Sequence, residues 1–300
     1  MNHYLCIDIG GSSIKSAIMD ETKMVARAGK IRTPRNDLNE LIGIIEDLYM
    51  ATKDEISGIA IAAPGRINCK TGYFWHGGAV SCLYHVCLKD KLEKFIPVPI
   101  TIENDAKCAA LAELTAGSMQ DVDNGAVIVI GTGLGCGLII NHEVYHGSHF
   151  SAGEAGMCPA RTDRKYDPAQ SWGVNVRAHA LQDIYTDRMH MKRDSTHGKI
   201  FFAKANAGDP DAIASLHEYC ARIVSGIMSI QYLLDMEKVA IGGGYSSEPI
   251  LVNIMQEEMD EAYASVNPMY ACEKPQLTLC HFHEDANLYG ALYFHRQAKH

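Results

Sequence analysis

The stretch Thr101-Ile102-Glu103-Asn104-Asp105 sets two carboxylates around a carboxamide. A carboxylate can accept the proton of an attacking alcohol, and a carboxamide can orient a hydroxyl. Val98, Ile100 and Ile102 alternate with Pro99, Thr101 and Glu103, which predicts a half-buried strand. The run Ala106 to Leu114 that follows predicts an alanine-rich helix ending near Gly117. Asp105 therefore stands where a strand hands over to a helix. There its carboxylate sees the positive end of the helix dipole and is expected to stay ionised at neutral pH. A plain helix cap would explain Asp105 alone equally well. Two glycine loops, one on either side of it in sequence, shift the balance toward chemistry.

Tyr4 to Ile9 and Ile14 to Met19 read as strands joined by Gly10-Gly11-Ser12-Ser13. Glycines at such a tip let backbone N–H groups approach an anion closely. The loop lacks the G-x-x-x-x-G-K-[ST] pattern, and a strand follows it instead of a helix, so neither a P-loop nor a Rossmann turn fits. Alone, it reads as a tight turn. The pattern recurs: strand Ala126 to Ile130, loop Gly131-Thr132-Gly133-Leu134-Gly135-Cys136-Gly137, strand Leu138 to Ile140. The second loop fails the G-x-G-x-x-G spacing, which weakens a dinucleotide reading. Two copies of one hairpin, far apart in the chain, predict two similar domains facing each other. A third cluster, Gly242-Gly243-Gly244, follows a strand at Lys238 to Ile241.

The positioning elements follow from periodicity. Leu38, Leu41, Ile42, Ile45 and Leu48 form a helical face over Asp37 to Tyr49, with Asp37 and Glu40 spaced as in a capping box. Ile56 to Ala63 is a buried strand ending in Pro64-Gly65. Gly65 to His85 reads as a glycine- and aromatic-rich loop, whose rings could face a sugar or cover a core edge. Gly147 to Gly156, carrying His149 and Glu154, is too polar for a core element, and Arg161 to Gln170 reads as a surface excursion. Asp211 to Met236 is the longest helix, read as one buried helix instead of a coiled-coil seam. A helix at Pro249 to Tyr263, a strand at Leu277 to Phe282 and a closing helix at Asp285 to Gln297 complete the chain. The expected division is 1–115 plus 285–300 as a smaller α/β domain and 116–284 as a larger one. No linker is visible, so the two are expected to meet around a cleft.

Composition excludes other classes. The chain has 300 residues, 47% hydrophobic and 21% charged, with a net charge of -9. No block of Lys or Arg stands out, which argues against nucleic acid, and no apolar run is long enough for a transmembrane helix. The N-terminus is not that of a signal peptide, because Asp8 interrupts the apolar run. Ten cysteines are scattered without any C-x-x-C pair, as expected for reduced thiols in a cytoplasm. His142-x3-His146 lacks an upstream cysteine pair and reads as coincidence.

Asp8-Ile9-Gly10-Gly11-Ser12, Glu103-Asn104-Asp105, Gly131-Thr132-Gly133-Leu134-Gly135, Ala152-Gly153-Glu154 and Gly242-Gly243-Gly244 occur in the order found in ROK sugar kinases and repressors. The chain resembles this family over nearly its whole length. The resemblance implies an α/β fold of two ribonuclease H-like domains, as in actin- and hexokinase-like ATPases, with ATP and a small-molecule sugar in the cleft. It implies that Gly10, Gly11 and Ser12 form the first phosphate loop, with Lys15 on the cofactor side, and that Gly131, Thr132 and Gly133 form the second. Gly242 and Gly243 would lie by the adenosine, and Asp8 would hold Mg²⁺ through water. Asn104, Asp105 and Glu154 would bond sugar hydroxyls, with Gly78 also in the sugar set. Asp105 would be the base for the attacking 6-hydroxyl. A homodimer is a further family-level expectation.

Two departures from the family pattern bear on the substrate. Met157 stands where many members have histidine, and only Cys158 is near the position of their zinc loop, so no structural zinc and an altered sugar pocket are expected. His149 could replace the missing contact or be a surface histidine. The segment Gly77 to His85 resembles the corresponding loop of bacterial β-glucoside kinases, which makes a β-glucoside such as cellobiose the preferred substrate. Free glucose and N-acetylmannosamine are the alternatives. A sugar-responsive regulator would need an N-terminal helix-turn-helix, for which the first strand leaves no room. An actin-like ATPase would use Asp105 to position water, but the Asn104, Asp105 and Glu154 set suits a hydroxylated ligand better.

Overall fold

The computed structural model describes residues 2–298 apart from 162, 164 and 194. The chain forms two compact units, Met1–Gln120 with Glu143–Ala152 and Glu284–His300, and Asp121–His142 with Gly153–His283. The expected boundaries differ from this division chiefly at Glu143–Ala152, which belongs to the first unit.

In the first unit, β1 (Tyr4–Ile9) and β2 (Ser13–Met19) make the expected hairpin, and β3 (Met24–Arg32) extends it. Helix α1 (Leu38–Thr52) then crosses to β4 (Gly58–Ala63), which pairs parallel with β1. Asp37 caps α1 through Asn39 N–H and Glu40 N–H at 2.9 and 3.0 Å, while the Asp37 N–H itself donates to the Pro34 carbonyl. The expected loop from Gly65 to His85 is instead a small antiparallel sheet of β5 (Arg66–Asn68), β6 (Tyr73–His76) and β7 (Val86–Cys87). Phe74 is fully buried in its core, and Trp75 is half-buried on the other face, as strand alternation requires. After α2 (Leu88–Leu92), β8 (Ile100–Asn104) completes the sheet order β3-β2-β1-β4-β8 and runs straight into α3 (Asp105–Ala116).

In the second unit, β9 (Gly125–Ile130) and β10 (Leu134–Ile140) form the second hairpin. Gly135 and Gly137, expected in the loop, lie inside β10, so the loop proper is Gly131 to Gly133. The strand β11 (Glu143–Val144) belongs to the segment of the first unit. Helices α4 (Trp172–Val176), α5 (Ala178–Arg188), α6 (Gly198–Asn206) and α7 (Pro210–Leu234) follow, then β12 (Lys238–Gly243), α8 (Pro249–Ala264) and β13 (Gln276–Leu279). β12 pairs parallel with both β9 and β13. The order β10-β9-β12-β13 thus repeats the arrangement of β2-β1-β4-β8. Leu216, Tyr219, Ile223 and Ile227 of α7 are buried in this unit's core, as its spacing predicts for a single packed helix.

Helix α9 (Ala286–Gln297) returns to the first unit and packs along α3. Every residue of α3 from Ala106 to Leu114 is buried, so it lacks a polar face. Small side chains on both helices allow the close approach, and Gly290 lies directly over the Cys108 carbonyl. This packing fixes the helix that begins at Asp105.

Candidate active site

Asn104, at the end of β8, caps α3, whereas Asp105 is its first residue. Asn104 Oδ1 accepts the Lys107 N–H at 3.0 Å. Its Nδ2 donates to the Gly65 carbonyl at 3.0 Å and to Asp105 Oδ1 at 3.1 Å. Asp105 Oδ1 also accepts the Ala106 N–H at 2.9 Å. A half-buried carboxylate is thereby held in one orientation at a helix N-terminus, where the dipole favours its charged form. Gly65 has φ 100°, and a Cβ there would meet the His76 carbonyl, so the turn that offers its carbonyl to Asn104 requires glycine.

Beside this pair, Glu103 is buried. Its Oε1 accepts the Asn104 N–H at 2.6 Å, and its Oε2 bonds His146 Nε2 at 2.6 Å. Burial, reinforced by the Glu103 charge, pushes the Cys69 thiol up to about 12. The Glu143–Ala152 segment is tied down further by Arg66 Nε, which donates to the His149 carbonyl at 2.8 Å. The Arg66 guanidinium lies 4.1 Å from the Trp75 ring centroid, and Phe150 flanks the same ring at 6.0 Å. His149 is exposed at the tip of this segment. Gly78, at φ 54°, is also exposed, and its N–H donates to His76 Nδ1 at 3.4 Å. The first unit therefore gathers Asn104, Asp105, an aromatic wall and the docked segment carrying His149. Arg66 had no sequence signal, Trp75 stood out only as one of the rings of Gly65 to His85, and His146 only as half of the H-x3-H pair. His142 bonds the Val122 carbonyl at 2.9 Å, so the two histidines of the H-x3-H pair have different partners.

At the first loop, Gly10 N–H donates to the Ser13 carbonyl at 3.0 Å. Thr33 Oγ1 donates to the Gly10 carbonyl at 2.6 Å. Arg35 donates to the Gly11 carbonyl and, through Nη2, to Ser12 Oγ at 3.2 Å. Residues after β3 thus brace the loop, an arrangement that spacing did not reveal. Asp8 is buried at the end of β1 opposite Lys15 on β2. Burial raises its carboxyl above the usual range, against the pull of the Asn287 amide, 3.1 Å from Oδ1, and of the Lys15 charge. Lys15 Nζ also donates to the Glu284 carbonyl at 3.1 Å.

In the second unit, Gly131 N–H donates to the Gly133 carbonyl at 2.9 Å, and the Gly131 carbonyl accepts the Ala178 N–H at 2.9 Å. A Cβ at Gly131 or Gly133 would meet nothing within 4 Å, and neither has a positive φ. The fold itself does not require glycine at either position. Thr132 between them is exposed. Gly242 and Gly243 differ, because a Cβ there would meet Cys280 Sγ and the Ile130 carbonyl respectively. Glu154 is exposed just after Gly153, whose φ of 83° turns the chain against the Cys136 carbonyl.

The ROK family model matches residues 4–298. A beta-glucoside kinase from Listeria innocua is 30% identical over 253 residues, 84% of this chain and 86% of its own length. A beta-glucoside kinase from Klebsiella pneumoniae is 30% identical over 258 residues, 84% of this chain and 85% of its own. The solved structure of a ROK family protein from Streptococcus pneumoniae TIGR4 in complex with sucrose superposes with a TM-score of 0.85 at 27% identity, covering 98% of both chains. With its repeated mixed sheets, the chain has the ribonuclease H-like, actin- and hexokinase-like α/β fold. Its motifs, its strand order and this match along almost all its length identify the chain as a member of the ROK family.

Proposed function

We propose that the chain is an ATP-dependent kinase acting on the 6-hydroxyl of a hexose or hexoside, with a β-glucoside such as cellobiose as its substrate. The single observation that carries this reading is the Asp105 carboxylate, oriented by Asn104 and the start of α3. Phosphoryl transfer needs positioning, charge neutralisation and a proton acceptor at the nucleophile. Asp105 accepts the proton of the 6-hydroxyl as that oxygen attacks the terminal phosphorus, and the bond to the departing diphosphate breaks. Asn104, Glu154, Gly78 and His149 are assigned to the sugar. Gly10, Gly11, Ser12 and Lys15, together with Gly131, Thr132 and Gly133, are assigned to the nucleotide phosphates, and Gly242 and Gly243 to its adenosine.

Asp8 fits a magnesium role through bound water, because Asn287 and Lys15 only partly offset the burial of its carboxylate, which a nearby dication would offset further. When bound, Mg²⁺ neutralises phosphate charge. The beta-glucoside kinase relatives and the sucrose-bound relative support a sugar kinase with room for a second sugar ring. Ten cysteines, none in a disulfide, support a reducing, cytoplasmic setting, and no described helix is long and apolar enough to cross a membrane. A homodimer belongs to the same reading.

A coupled assay across glucose, cellobiose, aryl-β-glucosides and N-acetylmannosamine tests it. The highest kcat/KM is expected with a β-glucoside. A preference for glucose or N-acetylmannosamine would overturn the glucoside assignment, and no turnover with any sugar would overturn the kinase.

The open surroundings of Gly131 give a second test. Gly131→Ala is expected to keep or slightly raise thermal stability, by about 0.4–1 kcal/mol at most, because the backbone there tolerates a side chain. The KM for ATP is expected to rise several-fold, because the added methyl obstructs close approach of a phosphate. Melting curves and steady-state kinetics on one preparation measure both, and an unchanged KM would remove Gly131 from the nucleotide site.

A further inference from the structure

Cys69, Glu103 and His146 converge from three separate stretches of the first unit, and their ligating atoms all lie within 4.8 Å of one another. Cys69 sits in the turn after β5, which Asn68 Oδ1 closes by accepting the Lys70 N–H at 3.1 Å. Glu103 lies on β8 with 2% of its side chain exposed, and His146 follows β11 with 28% exposed. None of the three belongs to a phosphate loop or is assigned to the sugar. We propose that this trio binds a divalent cation of the zinc class through thiolate, carboxylate and imidazole, with a fourth position left to water.

The ligand set argues for that metal class. Magnesium and calcium take oxygen ligands, whereas zinc accepts sulfur, nitrogen and oxygen together. Ligand atoms around a tetrahedral zinc stand about 3.5 Å apart, given its usual bond lengths. The trio's atoms lie within 4.8 Å of one another, and reaching that spacing requires the 2.6 Å His146–Glu103 contact to open. The Asn104 N–H already bonds the other Glu103 oxygen at 2.6 Å and holds the carboxylate in place, as outer-shell donors do at metal sites.

Charge acts in both directions. The Lys107 ammonium, which also acts on Cys69, opposes a cation, but the carboxylate and thiolate together outweigh it. Without metal, the thiol and the carboxylate are two acids crowded into a largely buried site. On binding, the thiol proton goes to solvent, and the hydrogen shared between His146 Nε2 and Glu103 leaves that contact, so that the imidazole coordinates through Nε2 with its proton on Nδ1. The trio does not include Cys158, the thiol nearest the position of the family's zinc loop. A cation here would clamp Glu143–Ala152 onto β8, one residue before Asn104. The proposal does not depend on which reaction the protein catalyses.

The test uses chelator-treated full-length protein titrated with Co²⁺ alone and, by calorimetry, with Zn²⁺ alone. Saturable uptake of a single equivalent is expected, with a thiolate-to-cobalt absorption band in the near ultraviolet and a raised Tm. Cys69→Ser and His146→Gln should each weaken uptake at least about tenfold, while Cys158→Ser leaves it unchanged. His146 is partly exposed, so His146→Gln serves if Cys69→Ser fails to fold. Absence of saturable uptake, or uptake equal to wild type in His146→Gln, would show that the trio is a hydrogen-bonded anchor and not a metal site.

Discussion

Asp105→Asn is expected to lower kcat at least about a hundredfold while leaving the fold intact. The carboxamide oxygen can still accept the Ala106 N–H and the Asn104 Nδ2–H, so the local geometry survives the substitution. What disappears is the basicity that accepts the hydroxyl proton. General-base catalysis is worth about 10²–10⁴ in rate, or about 2.7–5.4 kcal/mol of barrier. The KM for sugar should change far less than kcat, because an amide still bonds hydroxyls. Steady-state kinetics beside a melting curve separate the two effects. Near-normal turnover in a well-folded variant would remove Asp105 from its role.

Gly290→Ala is expected to be the most damaging single-methyl substitution in the first unit. A Cβ at Gly290 would lie 1.8 Å from the Cys108 carbonyl oxygen and 2.3 Å from its carbon, both backbone atoms of α3. No side chain can rotate to relieve that contact, so α9 and α3 must separate. Overpacking of this kind typically costs about 1–3 kcal/mol, and a backbone collision belongs at or above the upper end. In a chain of this size, about 3 kcal/mol lowers Tm by about 5 °C. The displaced helix begins at Asp105, and misplacement by about 1 Å can cost about 10²-fold in rate. Stability and turnover should therefore fall together, in contrast to Asp105→Asn, where only turnover falls. Gly244→Ala, which meets nothing within 4 Å, is the matched control. A native Tm for Gly290→Ala would contradict the packing described for α3 and α9.

What was legible in the sequence had a period or a cap behind it. The hairpins at Gly10 and Gly131 show as short apolar runs punctuated by glycine, and α7 shows its buried stripe from Ala212 to Gln231, about five turns. Asp105 stood out because strand and helix patterns meet there, although the capping oxygen is that of Asn104. The sheet of β5, β6 and β7 was hidden because its strands are short and broken by Gly72 and Gly77, residues that punctuate a pattern. Gly72 is needed at φ 70°, where Lys89 packs against it. Gly135 and Gly137 looked like loop residues for the same reason, yet they pair with Val129 and Val127 across the hairpin. The membership of Glu143–Ala152 in the first unit shows in tertiary contacts such as His146 to Glu103, Arg66 to the His149 carbonyl and Val144 against the α9 side of the sheet. Such contacts join residues distant in sequence and leave no local signature. The same holds for Arg35 at the first loop and for Cys69 beside Glu103.

The most direct measurement is ADP formation with and without β-glucosides, followed by phosphorus and carbon NMR of the product. The account predicts negligible ADP release without sugar, rapid release with a β-glucoside, and a phosphoester on O6. Sugar-independent hydrolysis, or a sugar that binds without turnover, would contradict it.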